Sequence, residues 1–253
     1  MRWLNRAWRL FGTGIAIGLI FIGGGFLAIF VLAPLAWFPS RRTGRARRVI
    51  QQIFRVYIAA LRLTGVIRLR MDGAYHLAAA RGRLIVANHP SLLDVVLLMS
   101  LVPNAQCIVK HELWNHRFLG PLMRAAGYIR NDLAADDMIA ACRTALDRGD
   151  CLIIFPEGTR SVPGARIDLR RGFANLALLT GAPIQPVCIT CEPPTLFKGE
   201  PWWRIPARTP LFTVTVDGCL DPALYAGDGY RSLAARKLVR FLEAYYAERI
   251  HHA

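Results

Sequence analysis

The feature that most limits what this chain can fold into is a long segment without charge near its beginning. Residues 10–38 carry no charged side chain, and arginines flank them on both sides. An uncharged segment bordered by basic residues predicts an element inserted in a membrane. A cleaved signal peptide is a weaker interpretation, because its apolar region usually spans only about 7–15 residues and no small-residue cleavage site follows here.

Two arrangements of this segment are open. As one helix it would be roughly 43 Å long at about 1.5 Å per residue, which exceeds a hydrocarbon core of about 30 Å. Three glycines, Gly23 to Gly25, lie at its centre and Pro34 lies further on. They favour two short helices forming a hairpin with both ends on the cytoplasmic side. A single tilted span is nearly as well supported.

The charge of the chain points to an anionic partner. The sequence has 32 Lys and Arg against 17 Asp and Glu, a formal net charge of +15, and a mean hydropathy of +0.31. We predict contact with membrane lipids rather than nucleic acid, because no nucleic-acid motif is present and arginines cluster beside the apolar segment. Residues 45–65 have the periodicity of a basic amphipathic helix, which lies on lipid, covers the core, or does both.

Six cysteines are present, most of them in apolar segments, which is typical of buried free thiols in a reducing compartment. Cys188 and Cys191 form one C-x-x-C motif within a strand-like segment, without a second pair. We therefore expect no metal or redox site there.

From residue 66 onward short apolar strands alternate with helices, which predicts an α/β fold with a mixed, largely parallel sheet flanked by helices. The predicted strands lie at 66–71, 83–88, 105–110, 151–155, 183–190 and 211–218, and the helices at 92–101, 133–148, 171–179 and 230–250. The stretch from Pro121 to Gly127 is predicted to be irregular. Residues 193–210 are rich in proline, and their Trp202 and Trp203 predict either an interfacial membrane contact or a packed loop.

The segment "NHPSLLD", residues 88–94, follows an apolar strand-like segment. Asp94, three residues after Ser91, fits a capping box, which requires no chemistry. His89 at the end of a strand, with a carboxylate one helical turn away, instead fits a general base and its orienting acid. The residues alone leave both interpretations open.

A second such turn occurs in "CLIIFPEGTRS", residues 151–161, where an apolar strand leads directly into polar residues. Gly158 and Thr159 offer backbone N–H groups and Arg160 a guanidinium, a combination suited to phosphate. We expect Glu157 to hold Arg160 or to contact a substrate hydroxyl. Ordinary turn chemistry explains the motif equally well in isolation.

Together these two segments resemble the blocks of the glycerolipid acyltransferase family that acylates lysophosphatidate. "CIVKHELW", "LRRGF" and "GAPIQPVCI" are similar to further blocks, so that the resemblance covers residues 84–189 and the N-terminal anchor. It implies an enzyme that moves an acyl group from acyl-CoA or acyl-carrier protein to the hydroxyl of a lysophospholipid such as 1-acyl-glycerol-3-phosphate. No other cofactor and no metal are implied.

The resemblance also implies roles for particular residues. His89 takes the proton from the acceptor hydroxyl and Asp94 orients His89. Glu157, Gly158, Thr159 and Arg160 form the substrate-binding turn. The weaker candidates for the acceptor's phosphate are basic: Lys110, Arg130 and Arg170.

One block departs from the family pattern, because in "GYIRNDL" Arg130 follows Gly127 by three residues instead of five or six. Either Arg130 takes the role from a shifted position, or the acceptor is a specialised lipid or an aryl-polyene-type compound. A thioester or lipid hydrolase with the same His–Asp pair is the alternative enzyme class, and a basic binding protein the non-enzymatic one.

These inferences predict a membrane anchor at residues 1–64 and an acyltransferase domain at residues 65–253. We expect a monomer at a bacterial-type inner membrane, with its catalytic domain on the cytoplasmic face.

Overall fold

A seven-stranded sheet organises the protein in this computed structural model, which describes residues 2–27, 42–117, 119–226 and 230–251. The spatial order is β1-β7-β6-β2-β5-β3-β4, and every neighbouring pair is parallel except β6 with β7. The predicted α/β fold with a mixed, largely parallel sheet is therefore confirmed. The strands are β1 (Arg68–Asp72), β2 (Leu84–Ala87), β3 (Ala105–Val109), β4 (Ile129–Arg130), β5 (Cys151–Ile154), β6 (Ile184–Glu192) and β7 (Leu211–Val216).

Helices connect the strands and cover both faces of the sheet. Short helical turns lie between the longer helices, which the alternation of apolar segments did not predict. The helices are α1 (Arg2–Leu27), α2 (Arg42–Leu63), α3 (Tyr75–Ala78), α4 (Asp94–Leu101), α5 (His111–Trp114), α6 (Gly120–Ala126), α7 (Ala135–Asp147), α8 (Gly172–Thr180), α9 (Ala223–Ala226) and α10 (Arg231–His251).

The core is divided by the sheet into two layers. Ile85 and Ala87 of β2 face the layer that contains α2, α4 and α6, whereas Leu84 and Val86 face the layer that contains α7, α8 and α10. Both faces of β2 are buried, which explains why its sequence is uniformly apolar instead of alternating. Cys188 and Cys191 of β6 belong to different layers, so their thiols do not face each other.

The prediction of an irregular stretch at Pro121 to Gly127 is wrong, because α6 occupies it. Proline is tolerated in the first turn of a helix, where its missing N–H has no intrahelical partner. Gly127 ends the helix in the left-handed conformation, with φ 64°. Pro121 and Gly127 are therefore the start and stop signals of a short helix.

The amphipathic helix predicted at residues 45–65 is present as α2 and packs against α4. Ile50, Ile58 and Leu61 are buried in the core on its inner side, while Val56 is 69% exposed. α2 therefore covers the core, as one of the two interpretations proposed. Contact of its basic face with lipid remains a prediction.

α1 includes residues 10–27 of the uncharged segment, and Gly23 to Gly25 lie within the helix. Residues 28–38 lie outside the described part of the chain, so the choice between a hairpin and a span is not decided. Within the described ranges, no helix has the length and apolarity required to cross a bilayer. α1 is attached to the domain by the buried Arg9, which donates hydrogen bonds to the carbonyls of Ala207 and Arg208 at 2.9 Å each.

Candidate active site

The His–Asp pair predicted from the sequence lies at the carboxyl end of β2. His89 follows the strand, Asp94 is the first residue of α4, and His89 Nδ1 lies 2.9 Å from Asp94 Oδ2. The His89 side chain is 15% exposed and the Asp94 side chain is fully buried. Because the carboxylate oxygen accepts, Nδ1 carries the hydrogen and Nε2 keeps the lone pair.

The same carboxylate also serves the backbone of the turn. The Ser91 N–H donates to Asp94 Oδ2 at 2.6 Å. The N-cap residue of α4 is Leu93, however, and no side chain caps this helix, so the capping box with Ser91 as N-cap is not formed. One carboxylate oxygen thus holds the turn and orients the imidazole.

Burial dominates the electrostatics of Asp94. It raises the pKa of Asp94 to about 6, against the opposing effect of the hydrogen bond with His89. The other oxygen, Oδ1, has no hydrogen-bond partner among the described residues. A desolvated carboxylate of this kind interacts strongly with an imidazolium, because little solvent screens the pair.

An aromatic side chain restricts the imidazole from another direction. Phe155, directly after β5, stacks on the His89 ring with 4.3 Å between centroids and 28° between planes. Since β5 is the neighbour of β2 in the sheet, the stacking follows from the strand order. The His89 ring is therefore held by a hydrogen bond at one atom and by packing on one face.

The turn after β5 is bonded to the backbone of His89. Glu157 Oε1 accepts the His89 N–H at 2.8 Å and the Ser161 hydroxyl at 2.9 Å, and the Ser161 N–H donates to the His89 carbonyl at 2.7 Å. We expected Glu157 to hold Arg160 or to contact a substrate. Its observed partners instead fix the His89 turn.

Arg160 lies on the same turn but is held by a different segment. Its Nη1 donates to the carbonyls of Leu196 at 2.7 Å and Phe197 at 3.2 Å, in the loop between β6 and β7. Gly158 and Thr159 are exposed on the turn. Gly158 has φ +71°, and a Cβ there would lie 3.0 Å from the guanidinium carbon of Arg170. Arg170 thus lies beside the turn, and its contact with a phosphate stays a prediction.

The remaining basic candidates follow the next two strands of the sheet. Lys110 is exposed at the carboxyl end of β3, and Arg130 ends β4. With strands about 4.8 Å apart, they lie two and three strands from β2 on the same edge. Arg130 is already engaged, because its Nε donates to Asp132 Oδ1 at 2.8 Å and its Nη2 donates to the other oxygen.

Asn88, which the sequence analysis did not single out, secures the turn to β6. Its amide donates to the Ile189 carbonyl at 2.8 Å and accepts the Ile189 N–H at 2.7 Å, and the residue is only 1% exposed. The side chain continues the β2–β6 ladder beyond the end of β2. The feature of the sequence that could have identified Asn88 is its position directly before His89 in "NHPSLLD".

Two pockets adjoin the His89 turn. One is mainly apolar and is lined by residues of α1, α2 and the 193–210 loop together with Leu93. The other lies between Pro90, residues 161–167 and the end of β6. The first has the lining chemistry of an apolar ligand site and the second that of a site of mixed polarity.

Comparisons with known proteins agree with this fold. Residues 68–190 match the family model described as Acyltransferase. A 1-acyl-sn-glycerol-3-phosphate acyltransferase of Helicobacter pylori is 30% identical over 190 residues, covering 73% of this chain and 77% of the relative. The enzyme of the same name from Cocos nucifera is 35% identical over 111 residues, covering 42% of this chain and 36% of the relative.

A solved structure shares the fold across almost the whole chain. It is the 1-acyl-sn-glycerophosphate acyltransferase PlsC of Thermotoga maritima, with a TM-score of 0.71 and 21% identity, covering 99% of this chain and 96% of that one. By contrast, the chain spans less than half the length of two plant relatives, 36% of the Cocos nucifera protein and 46% of the Limnanthes douglasii protein.

Fold and matches together define a chain of the α/β acyltransferase fold class. The chain belongs to the glycerolipid acyltransferase family, as the Helicobacter pylori relative shows by its extent and identity.

Proposed function

We propose that this protein transfers a fatty acyl group from a thioester, acyl-CoA or acyl-carrier protein, to the hydroxyl of a lysophospholipid such as 1-acyl-glycerol-3-phosphate. The observation that carries the proposal is the oriented His89–Asp94 pair, 2.9 Å apart, with Arg160 on the turn of the adjacent strand. The names of the relatives support the same acceptor class.

The geometry supports general-base catalysis within a ternary complex. Nε2 of His89 takes the proton of the acceptor hydroxyl as its oxygen attacks the thioester carbonyl carbon. The carbon–sulfur bond then breaks, and the leaving thiolate takes the proton back from the imidazolium. Asp94 stabilises that imidazolium through Oδ2, and such proton transfer contributes about 10²–10⁴-fold.

Arg160 is the side chain best suited to the acceptor's phosphate. Its Nη1 bonds to two carbonyls leave the planar guanidinium fixed, and a fixed guanidinium binds phosphate bidentately with little loss of entropy. Exposed Lys110 and Arg170 add positive charge at the same edge of the sheet. Arg130 is a poorer candidate, since Asp132 already neutralises it.

The apolar pocket supports a place for an acyl chain. Leu93, immediately before Asp94, forms part of its wall, and α1 and α2 supply much of the rest. The outer surface beside it carries large exposed hydrophobic side chains, including Trp8, Phe11, Trp202 and Trp203. Aromatic residues with nearby arginines suit a membrane interface, which we propose to be the cytoplasmic face of a bacterial-type inner membrane.

The test is an acyl-transfer assay on detergent-solubilised protein with labelled palmitoyl-CoA or palmitoyl-carrier protein. Lysophosphatidate, other lysolipids and unphosphorylated alcohols serve as acceptors. His89→Ala is expected to reduce kcat by at least about 10², because the base is removed. His76→Ala, on α3 away from the β2 edge, is the matched control and should retain activity.

Each other outcome has a defined meaning. Wild-type rates in His89→Ala would refute the mechanism. Thioester cleavage without any acceptor would identify a hydrolase, and transfer to unphosphorylated acceptors alone would point to a specialised lipid or aryl-polyene-type substrate.

A further inference from the structure

The loop that holds Arg160 contains an unusual backbone conformation. Leu196 has φ +56°, in the left-handed region, and the residue is 5% exposed. A bulky side chain avoids this region because its Cβ approaches the backbone closely. Among the described residues, the other non-glycine residue with positive φ is Asn104, at 49°, and asparagine tolerates this conformation far better. Residues held this way persist only where the surroundings fix them.

The left-handed conformation directs one carbonyl at two parts of the site. Leu196 O accepts a hydrogen bond from Arg160 Nη1 at 2.7 Å and from the Leu92 N–H at 3.1 Å. Leu92 is in the turn between His89 and Asp94. A single carbonyl therefore joins the guanidinium to the segment that carries the proposed base.

Burial of the Leu196 side chain explains how the left-handed backbone conformation is maintained. The residue is 5% exposed and lines the apolar pocket. It also belongs to the buried core cluster that contains Leu61 of α2 and Leu93 of the His89 turn, so core residues from separate elements surround it. Packing of the side chain thus opposes relaxation of the backbone.

We propose that Leu196 is a positioning residue for the acceptor. Its packed side chain holds the left-handed backbone, so that its carbonyl fixes Arg160 through Nη1 and directs the remaining N–H donors of the guanidinium at the acceptor's phosphate. This inference rests on the proposed function. It adds that a residue of the pocket wall determines how well the phosphate is recognised.

The proposal predicts that truncation of Leu196 to alanine impairs recognition of the acceptor more than truncation to glycine does. Leu196→Ala loses the packing but keeps a Cβ that disfavours positive φ, so its backbone relaxes and the carbonyl turns away from Arg160. Leu196→Gly loses the same packing, yet glycine adopts positive φ without that penalty. Acceptor binding is therefore weaker in the alanine variant than in the glycine variant. Without the left-handed backbone the reverse order would be expected, because glycine is smaller and more flexible.

The experiment compares KM and kcat for lysophosphatidate and for the unphosphorylated 1-acylglycerol, with direct calorimetric binding of lysophosphatidate in parallel. Leu196→Ala is expected to raise the lysophosphatidate KM about tenfold, as for a misaligned charge-assisted hydrogen bond. Leu196→Gly is expected to raise the lysophosphatidate KM less than Leu196→Ala does, and Leu196→Met is expected to keep it near the wild-type value. Both truncations also widen the apolar pocket, so the KM for 1-acylglycerol rises to a similar extent in the alanine and glycine variants, and the larger loss in the alanine variant is expected for lysophosphatidate alone.

Two controls separate positioning from general stability. Asn104→Ala and Asn104→Gly make the same pair of changes at a positive φ remote from Arg160, and both should leave every KM unchanged. In the Arg160→Ala background, Leu196→Ala should add no loss of lysophosphatidate affinity beyond that from the widened pocket, since both changes remove the same interaction with the phosphate.

Several results would overturn the inference. These are a glycine variant as impaired as the alanine variant, equal losses for both acceptors, or additive losses in the Arg160→Ala background. If wild type transfers no acyl group, the proposed function fails on its own, while the calorimetric order of the variants still decides the role of Leu196.

Discussion

Asn88→Asp tests whether the His89 turn depends on the amide that joins it to β6. The Asn88 amide donates to the Ile189 carbonyl at 2.8 Å and accepts the Ile189 N–H at 2.7 Å, with 1% of the residue exposed. An aspartate has the same shape but, when ionised, only accepts hydrogen bonds. It would keep the contact with the N–H and face the carbonyl with a second acceptor.

The expected cost follows from these two contacts. Removing the amide, as in Asn88→Ala, leaves one buried N–H and one buried C=O without a partner, each at about 1–3 kcal/mol, or about 2–6 kcal/mol together. For a domain of this size that lowers Tm by about 4–24 °C. In Asn88→Asp the ionised carboxylate costs at least as much because its charge is buried and unpaired, and the site therefore raises its pKa above the ordinary value of about 3.9.

The sign of the pH dependence distinguishes the two variants. The introduced carboxyl, once protonated, donates to the Ile189 carbonyl as the amide does, so folding favours the protonated form. Its contribution to the free energy of unfolding is fully present below about pH 4, the unfolded pKa, and is lost as the pH rises through the higher folded pKa. Relative to wild type, Asn88→Asp should therefore recover stability on acidification, whereas Asn88→Ala should not.

The assay is thermal unfolding of the detergent-solubilised protein between about pH 4 and 8, the range above the unfolded pKa, with wild type measured at every pH. Subtracting wild type removes the titration of Asp94 and the other shared groups. A constant difference in Tm between Asn88→Asp and wild type across this range would refute the reasoning. So would parallel pH profiles for the aspartate and alanine variants.

Two further predictions concern the neighbouring turns. The raised pKa of Asp94, about 6, predicts that kcat/KM falls on acidification through about pH 6, because a protonated Asp94 no longer stabilises the His89 imidazolium. A kcat/KM that is flat from about pH 5 to 8 would contradict this prediction. Gly158→Ala should lower Tm by about 2–8 °C, through a cost of about 1–2 kcal/mol for positive φ, and should displace the Arg170 guanidinium that lies 3.0 Å from the new Cβ position. An unchanged Tm would show that the turn adopts another conformation.

Much of the fold was predictable because its signals are local. Buried parallel strands give short apolar segments, and β2, β5 and β6 were recognised from them. α6 was missed although its proline and glycine lie at the positions where helices begin and end. Proline and glycine break a helix in its interior, but at its first turn and just past its end they are favoured.

The candidate site likewise has some features that local sequence predicts and others that it does not. The sequence determined that His89 and Glu157 follow apolar strands, and in a largely parallel sheet that fact brings both to one edge. Asp94 was also within reach of local reasoning, since it lies five residues from His89. These inferences need only the periodicity of the chain and the direction of its strands.

The partners of these side chains were decided by tertiary structure alone. Glu157 bonds to a backbone N–H that is 68 residues away in sequence, and Arg160 to a carbonyl 36 residues away. Each bond depends on the order and register of the strands, which bring turns from distant parts of the chain together at one edge. The left-handed backbone of Leu196 has no signal in the sequence, because such a conformation persists only where the folded surroundings of a buried side chain fix it.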